Sequence, residues 1–511
     1  MSDRKVKNHG DGGRRLRSVT WAGCVLIIPW IMLALPAFGS DAADAGPSWF
    51  NLAPDEEEVA ALEKRVLDRI ATYKAQSCVR PVLRGEPVVG SAAEMIAEIL
   101  EGRGQHERCL ELTHSNPGIL TFGFRRSILP DTLIAFLEKP VGGFTDEDLG
   151  AIRTVCGILP DAVRAAVAHQ DACGSWHPGT GVRPPEIEVR RCSLVSVILG
   201  RLAYRPEDAL HSAQAALDLI RFNQDLIRGG GTLMLTMLTV RSVVWHQGPW
   251  LRWLLDRGAI GQDGLASLVD EIGILIDTEP PIGEIVEAIG EWQFLLMPTS
   301  IREHQDWSPP LGRGHRFDQA TSNNFLARSR ELFDERTSAG LLLVGLERFR
   351  QELTAACPPT ARPLDCIRGI RRLEEARALR RQASVLTRTL EVILAPNSRR
   401  ELRNWMVDTL LGYPIYGRDR LLELYVARSI QLAAYRIHAA VLAAWAGAGT
   451  CPEDFSDDSW AGIIKDPIFE GDFSISRNPS NHDFVVRSAG TFRHESTNED
   501  LVYRFRCPPG R

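Results

Sequence analysis

Residues 19–38, VTWAGCVLIIPWIMLALPAF, run for 20 positions without a charged side chain. A helix of that length spans about 30 Å, the thickness of a bilayer's hydrocarbon core. Arg4, Lys5, Lys7, Arg14, Arg15 and Arg17 precede the run, opposed only by Asp3 and Asp11, whereas Asp41, Asp44, Asp55, Glu56, Glu57 and Glu58 follow it. By the positive-inside rule, 1–18 is a basic cytoplasmic segment and 19–38 a single-pass inner-membrane anchor. After a linker over 39–54, the rest of the chain is then periplasmic. A cleaved signal peptide stays open as the alternative, because Ala37-Phe38-Gly39 before Ser40 suits a cleavage site and Pro29 and Pro36 interrupt the run. The body would then be released into the periplasm.

The net charge of −6 over 511 residues conceals this asymmetry. Beyond residue 40 the chain carries 53 basic and 63 acidic side chains. An acidic body of this kind gives no support to nucleic-acid binding. With 44% apolar residues the chain is too hydrophobic to be disordered.

Export changes how the cysteines read. Besides Cys24 in the apolar run there are Cys78, Cys109, Cys156, Cys173, Cys192, Cys357, Cys366, Cys451 and Cys507. An oxidising compartment permits disulfides, and an odd count leaves at least one thiol over. Position suggests two pairs. Cys357 and Cys366 bracket the proline-rich CPPTARPLDC. Cys451 and Cys507 bracket the end of the chain, where loop closure would contribute roughly 4 kcal/mol. Pairing among Cys78, Cys109, Cys156, Cys173 and Cys192 stays open. No CxxC occurs, so zinc-ribbon and thioredoxin-like readings find no support.

Over 55–450 the dominant period is helical, which predicts a mainly α fold: an irregular stack of helical hairpins, tetratricopeptide-like in part. Pro54 before Asp-Glu-Glu-Glu suits a helix start, with a rigid first residue and acids at the positive end of the dipole. Ala209, Ala213, Ala216, Leu217, Ile220 and Leu226 recur at steps of three and four, predicting a helix over 206–228. Gly229-Gly230-Gly231 ends it, and a second helix is expected from Thr232 to about His246. Breaks are expected at 174–185, 298–316 and 357–363. Arg418 to Ala446 reads as the last long helix, apolar on two faces and so sandwiched in the core. Its His438 reads as a hydrogen-bonded core histidine. Alternation over 469–476, 483–488 and 501–506 predicts a small antiparallel β module at 451–511.

Few residues suggest chemistry. In GQHERCLELTH, His106 and Cys109 share one helical face and Glu111 and His114 another, about 140° further round. They are weak metal candidates, because ligands must converge. Glu284, Glu287 and Glu291 line one face and would hold a cation or act as an acid/base pair, joined by His304 if its proline-rich loop folds back. The plainer reading of both groups is a solvated helix face. The triple glycine lacks the P-loop Lys-Ser/Thr. Trp245, His246, Trp250 and Trp253 around Gly248-Pro249 read as packing at a helix corner. The arginine-rich stretch 362–403 reads as the exposed side of two helices, suited to anionic lipid headgroups or a protein partner. No GxSxG motif occurs, and no cofactor is implied.

A long helix, a short loop with Cys451-Pro452, then Asp466-Pro467, Gly471, Phe473 and Phe484-x-Val486-x-Ser488-x-Gly490 resembles the C-terminal module of type II secretion pseudopilins. The same tail resembles that of uncharacterised membrane-anchored, mostly helical envelope proteins of Gram-negative bacteria, whose middle is also similar to the 206–246 hairpin. The pseudopilin likeness implies a secretion-apparatus component; the second likeness implies no known activity. Neither the prepilin Gly-Phe-Thr-x-x-x-Glu signal nor the pseudopilin calcium loop is present, HESTNED standing in the loop's place. The expected function is a membrane-anchored extracytoplasmic scaffold that binds envelope proteins or peptides, with an envelope hydrolase using the glutamate row or a secretion-apparatus component as alternatives.

Overall fold

The computed structural model describes residues 56–101, 150, 153–154, 156–173, 205, 207–228, 240, 243–288, 335–376, 418–469, 471–478, 482–488 and 502–508. All of them belong to one compact unit, Pro54–Arg511. The 19–38 run lies outside the described residues. Among those residues no helix is long and apolar enough to cross a membrane.

The fold is mainly α, with a small antiparallel sheet near the C-terminus. Helix α1 (Glu56–Ala75) opens with Glu56, Glu57 and Glu58 in its first turn, where the dipole favours acids. An extended segment leads to β1 (Val88–Ser91) and α2 (Ala92–Glu101). Then come α3 (Leu159–Val167) and β2 (His169–Asp171), which pairs with β1 in parallel. This two-stranded pair is not legible from the sequence: it is very short, and Gly90 adopts φ +139° where any Cβ would meet the His169 ring.

Helix α4 (Ala209–Arg228) matches the predicted first helix of the hairpin. Most of the expected second helix lies outside the described residues. At its end a π-helical turn, Val243–Gln247, runs directly into α5 (Gly248–Asp256). Pro249 sits in the first turn of α5, where its fixed φ suits a helix. Helix α6 (Gln262–Asp277) and the helical segment 282–288 follow. Helix α7 (Glu335–Ala356) ends at the expected break, and a further helix covers 363–376.

The last long helix, α8 (Arg418–Ala448), is buried on nearly all sides between Leu421 and Leu442. Gly449, at φ +71°, closes it by donating its N–H to Trp445 O. Helix α9 (Asp458–Ala461) is one turn, capped by Asp457. The sheet order is β3 (Ser474–Asn478), β4 (Asp483–Arg487), β5 (Val502–Arg506), antiparallel throughout. The first strand begins later than its alternation suggests. Asp466 Oδ1 accepts the N–H groups of Ile468 and Phe469, holding that stretch in a turn.

Phe484, Val486 and Phe505 point from the sheet into the same hydrophobic core that contains α4, α5, α6 and α8. Burying side chains of this size contributes about 1.5–3 kcal/mol each. Both predicted disulfides are formed, Cys357–Cys366 across the α7 break and Cys451–Cys507 across the sheet module. Cys78–Cys173 is a third, and Cys156 is also disulfide-bonded.

Candidate functional site

Helix α4 carries Asp218, Arg221, Asp225 and Arg228 at steps of three and four, which place them along one side. On a surface helix that stripe would face water. Here the helix runs through the core, and Arg221, Asp225 and Asp218 are 0%, 1% and 3% exposed. Charges so placed must be paired or lose their ionisation.

The extended segment before β1 supplies two partners. Arg80 Nε donates to Asp225 Oδ1 at 2.7 Å, and its Nη2 pairs with Oδ2. Arg228 Nη1 donates to the same Oδ1 at 3.0 Å. Arg84 bridges Asp218 and Glu271 of α6, while Arg164 Nε donates to Asp218 Oδ2 at 3.3 Å. Gln214 Nε2 and Ser267 Oγ each donate to Glu271 Oε1 at 3.0 Å. Burial raises the Asp218 and Glu271 carboxyls above their ordinary range, with the guanidiniums opposing it.

A second group lies where α4, the end of α6 and α8 meet. Arg428 of α8 is 0% exposed, and its Nη1 lies 3.1 Å from Glu279 Oε1. Ser429 Oγ donates to Glu279 Oε2 at 2.8 Å, and the Tyr425 hydroxyl donates to Pro280 O. Arg221 Nη1 donates to Thr278 Oγ1 at 2.8 Å, and Gln224 Nε2 to Leu275 O at 2.8 Å. Burial pushes the Glu279 carboxyl up and the Tyr425 phenol well up. Burial also lowers Arg221 to about 9; Asp225 opposes this, and Arg80, Arg228 and Arg428 add to it. Helices α3 and α6 and the extended strap are thus tied to α4 through charges.

A third polar contact reaches the sheet. His438 is fully buried, shares a hydrogen bond with the Tyr503 hydroxyl and stacks on Phe505 at 4.1 Å between ring centroids. Burial, then the Arg252 charge, lowers its pKa to about 3, so the imidazole is neutral. This is the hydrogen-bonded core histidine that the sequence suggests.

Of the residues singled out for chemistry, Glu284 is exposed and Glu287 half-buried on the segment 282–288, with Glu287 Oε1 4.0 Å from Arg350 Nη1. Glu291, His304, His106, Cys109, Glu111 and His114 lie outside the described residues. Among the described residues, no group of three or more His, Cys, Asp or Glu side chains is arranged to hold a metal ion. Trp250 and Trp253 stack at 5.6 Å beneath the Gly248-Pro249 turn, with Trp250 buried, as a packing role requires.

The charged junction escapes a reading of hydrophobic periodicity, which treats Asp218, Arg221, Asp225 and Arg228 as the wet face of an amphipathic helix. One available signal is Arg428, a guanidinium set in the apolar stripe that runs through Leu421, Tyr425, Leu432 and Tyr435 of α8. Comparison with family models, curated proteins and solved structures finds no match to this chain.

Proposed function

We propose that the chain is an exported, disulfide-stapled helical scaffold, held at the inner membrane through 19–38, whose body binds envelope proteins or peptides. The observation that carries the reading is the set of disulfides: Cys78–Cys173, Cys357–Cys366 and Cys451–Cys507 join positions 95, 9 and 56 residues apart. Disulfides of this structural kind persist in oxidising compartments and are rare in the bacterial cytosol. Binding is supported by the surface beside the first of them. Val79, Val88 and Val89 are 73%, 44% and 84% exposed around the β1–β2 corner. An extended peptide added beside β1 would cover such an edge.

Two measurements in growing cells test the reading. Thiol alkylation should leave Cys78 and Cys173 unmodified until a reductant is added; modification without reductant would contradict export. A photo-crosslinking side chain at Val89 should give a discrete adduct with an envelope protein or peptide that is absent when the probe is moved to exposed Asp263. Equal labelling at both positions, or none, would remove the binding face. A secretion component in the adduct would specify the role as part of that apparatus.

A further inference from the structure

Four guanidiniums, those of Arg80, Arg221, Arg228 and Arg428, influence one another in the core, and the carboxylates set among them are Asp225 and Glu279. Arg80, Arg221 and Arg428 are 5%, 0% and 0% exposed, and the Arg228 side chain 11%. If every group is ionised, these six hold two more positive than negative charges, with Asp171 beyond Arg80 and Glu284 beyond Tyr425 as the further carboxylates that act on the neighbourhood. Asp225 is taken up by Arg80 and Arg228. Among the described residues, Glu279 has only Arg428 within ion-pair distance.

The hydrogen bonds show where the deficit falls. Although Arg428 Nη1 lies 3.1 Å from Glu279 Oε1, neither that oxygen nor any of the three Arg428 guanidinium nitrogens makes a hydrogen bond among the described residues, and Arg221 Nε makes none either. A buried, unbonded guanidinium forfeits its hydration without replacement. A planar fork of N–H donors matches the oxygens of phosphate and carboxylate groups. We propose that the junction of α4, α6 and α8 is a binding site for a small multivalent oxyanion, held by Arg428 and Arg221. A dianion there would balance the two surplus charges and give both forks acceptors. Asp225, Glu279 and Tyr425 set its limits, since two of them repel anions and the phenol offers only one donor, already directed at Pro280 O. The site is independent of the scaffold reading, because it concerns the interior of α4 and α8 and neither the membrane segment nor the β1 edge.

The test uses full-length protein purified in detergent, dialysed against chloride buffer and unfolded thermally under tryptophan fluorescence. Sodium phosphate and sodium malonate are titrated to 10 mM, each against sodium chloride of equal ionic strength. A saturable rise in midpoint with either, lost in Arg428→Met but kept in the exposed control Arg368→Gln, is the expected result; which salt acts separates the phosphate from the carboxylate class. Glu279→Gln removes the carboxylate that competes for Arg428 and should tighten binding several-fold, which keeps the idea testable if Arg428→Met does not fold. Acid-released anions from the dialysed protein are measured by ion chromatography, and a stoichiometric oxyanion that survives dialysis also supports the site. No rise beyond chloride with no retained anion overturns it. A rise unchanged in Arg428→Met, or an affinity unchanged in Glu279→Gln, overturns it as well.

Discussion

His438 Nδ1 and the Tyr503 hydroxyl stand 2.9 Å apart, joining the middle of α8 to the last strand of the sheet. The imidazole is fully buried, so its ring nitrogen has no water to turn to if the phenol is removed. Tyr503→Phe keeps the ring that packs edge-on against Tyr435 at 5.2 Å and deletes only the hydroxyl. The expected loss is about 1–3 kcal/mol. Denaturant unfolding at pH 7 measures it, and a neutral result would show that this bond does not anchor the sheet.

The same histidine gives the protein an acid-sensitive stability. Its pKa is lowered from 6.5 to about 3 by burial and then by Arg252, so below pH 6.5 the unfolded chain binds a proton that the folded chain refuses. Stability attributable to His438 therefore falls as pH drops from 6.5 towards 3, by about 2 kcal/mol at pH 5. The raised carboxyls of Asp218, Glu271 and Glu279 act the other way, adding stability as pH falls into the range where only the folded chain holds their protons. The measurement is thus a difference. Wild type should lose stability relative to His438→Gln between pH 7 and pH 5, and parallel curves would refute a neutral buried histidine.

Asp171 braces the Cys78–Cys173 disulfide from both ends. Its Oδ1 accepts the Cys78 N–H at 2.9 Å and the Cys173 N–H at 3.1 Å, and its Oδ2 accepts from Ser77 Oγ at 2.7 Å. Burial alone would raise this carboxyl, but those donors and Arg80 hold it below its ordinary value. Closing a loop of 95 residues is worth about 4–5 kcal/mol by chain entropy, so the double variant Cys78→Ser/Cys173→Ser should lose a large part of that. Asp171→Ala should lose about 1–3 kcal/mol with the disulfide intact. Equal losses in the two variants would mean that the disulfide contributes nothing beyond the turn around it.

Periodicity makes the long elements legible. Helix α8 was expected over 418–446 and runs Arg418–Ala448, because its two apolar stripes leave one way to bury both. The three sheet strands alternate cleanly, since one face meets α8 and the other meets water. The β1–β2 pair is not legible in this way, because its seven residues include Gly90, His169, Gln170 and Asp171, which carry no strand preference and pair only through the fold. The charged junction was hidden for a related reason. A stripe of Asp and Arg on a helix means solvent unless another arginine is brought to it, and Arg80 comes from a segment 145 positions away from Asp225.

That long-range pair carries the last prediction. Asp225 is 1% exposed and is the one carboxylate within ion-pair distance of Arg80 among the described residues, whereas Arg228 reaches it from the next turn of the same helix. Removing one partner of a buried pair leaves the other charged in the core, at about 3–5 kcal/mol. Asp225→Leu should therefore be severely destabilising. Arg80→Met alone should cost less, because Arg228 still satisfies Asp225. In the double variant Arg80→Met/Asp225→Leu part of the loss should return, since an apolar pair needs no compensation. A double-mutant cycle by chemical denaturation gives the coupling, expected at about 1–3 kcal/mol for groups in direct contact. Strict additivity would mean that Arg80 and Asp225 are neighbours without a shared energy, and that the strap before β1 is held by its disulfide and by Arg84 rather than by this pair.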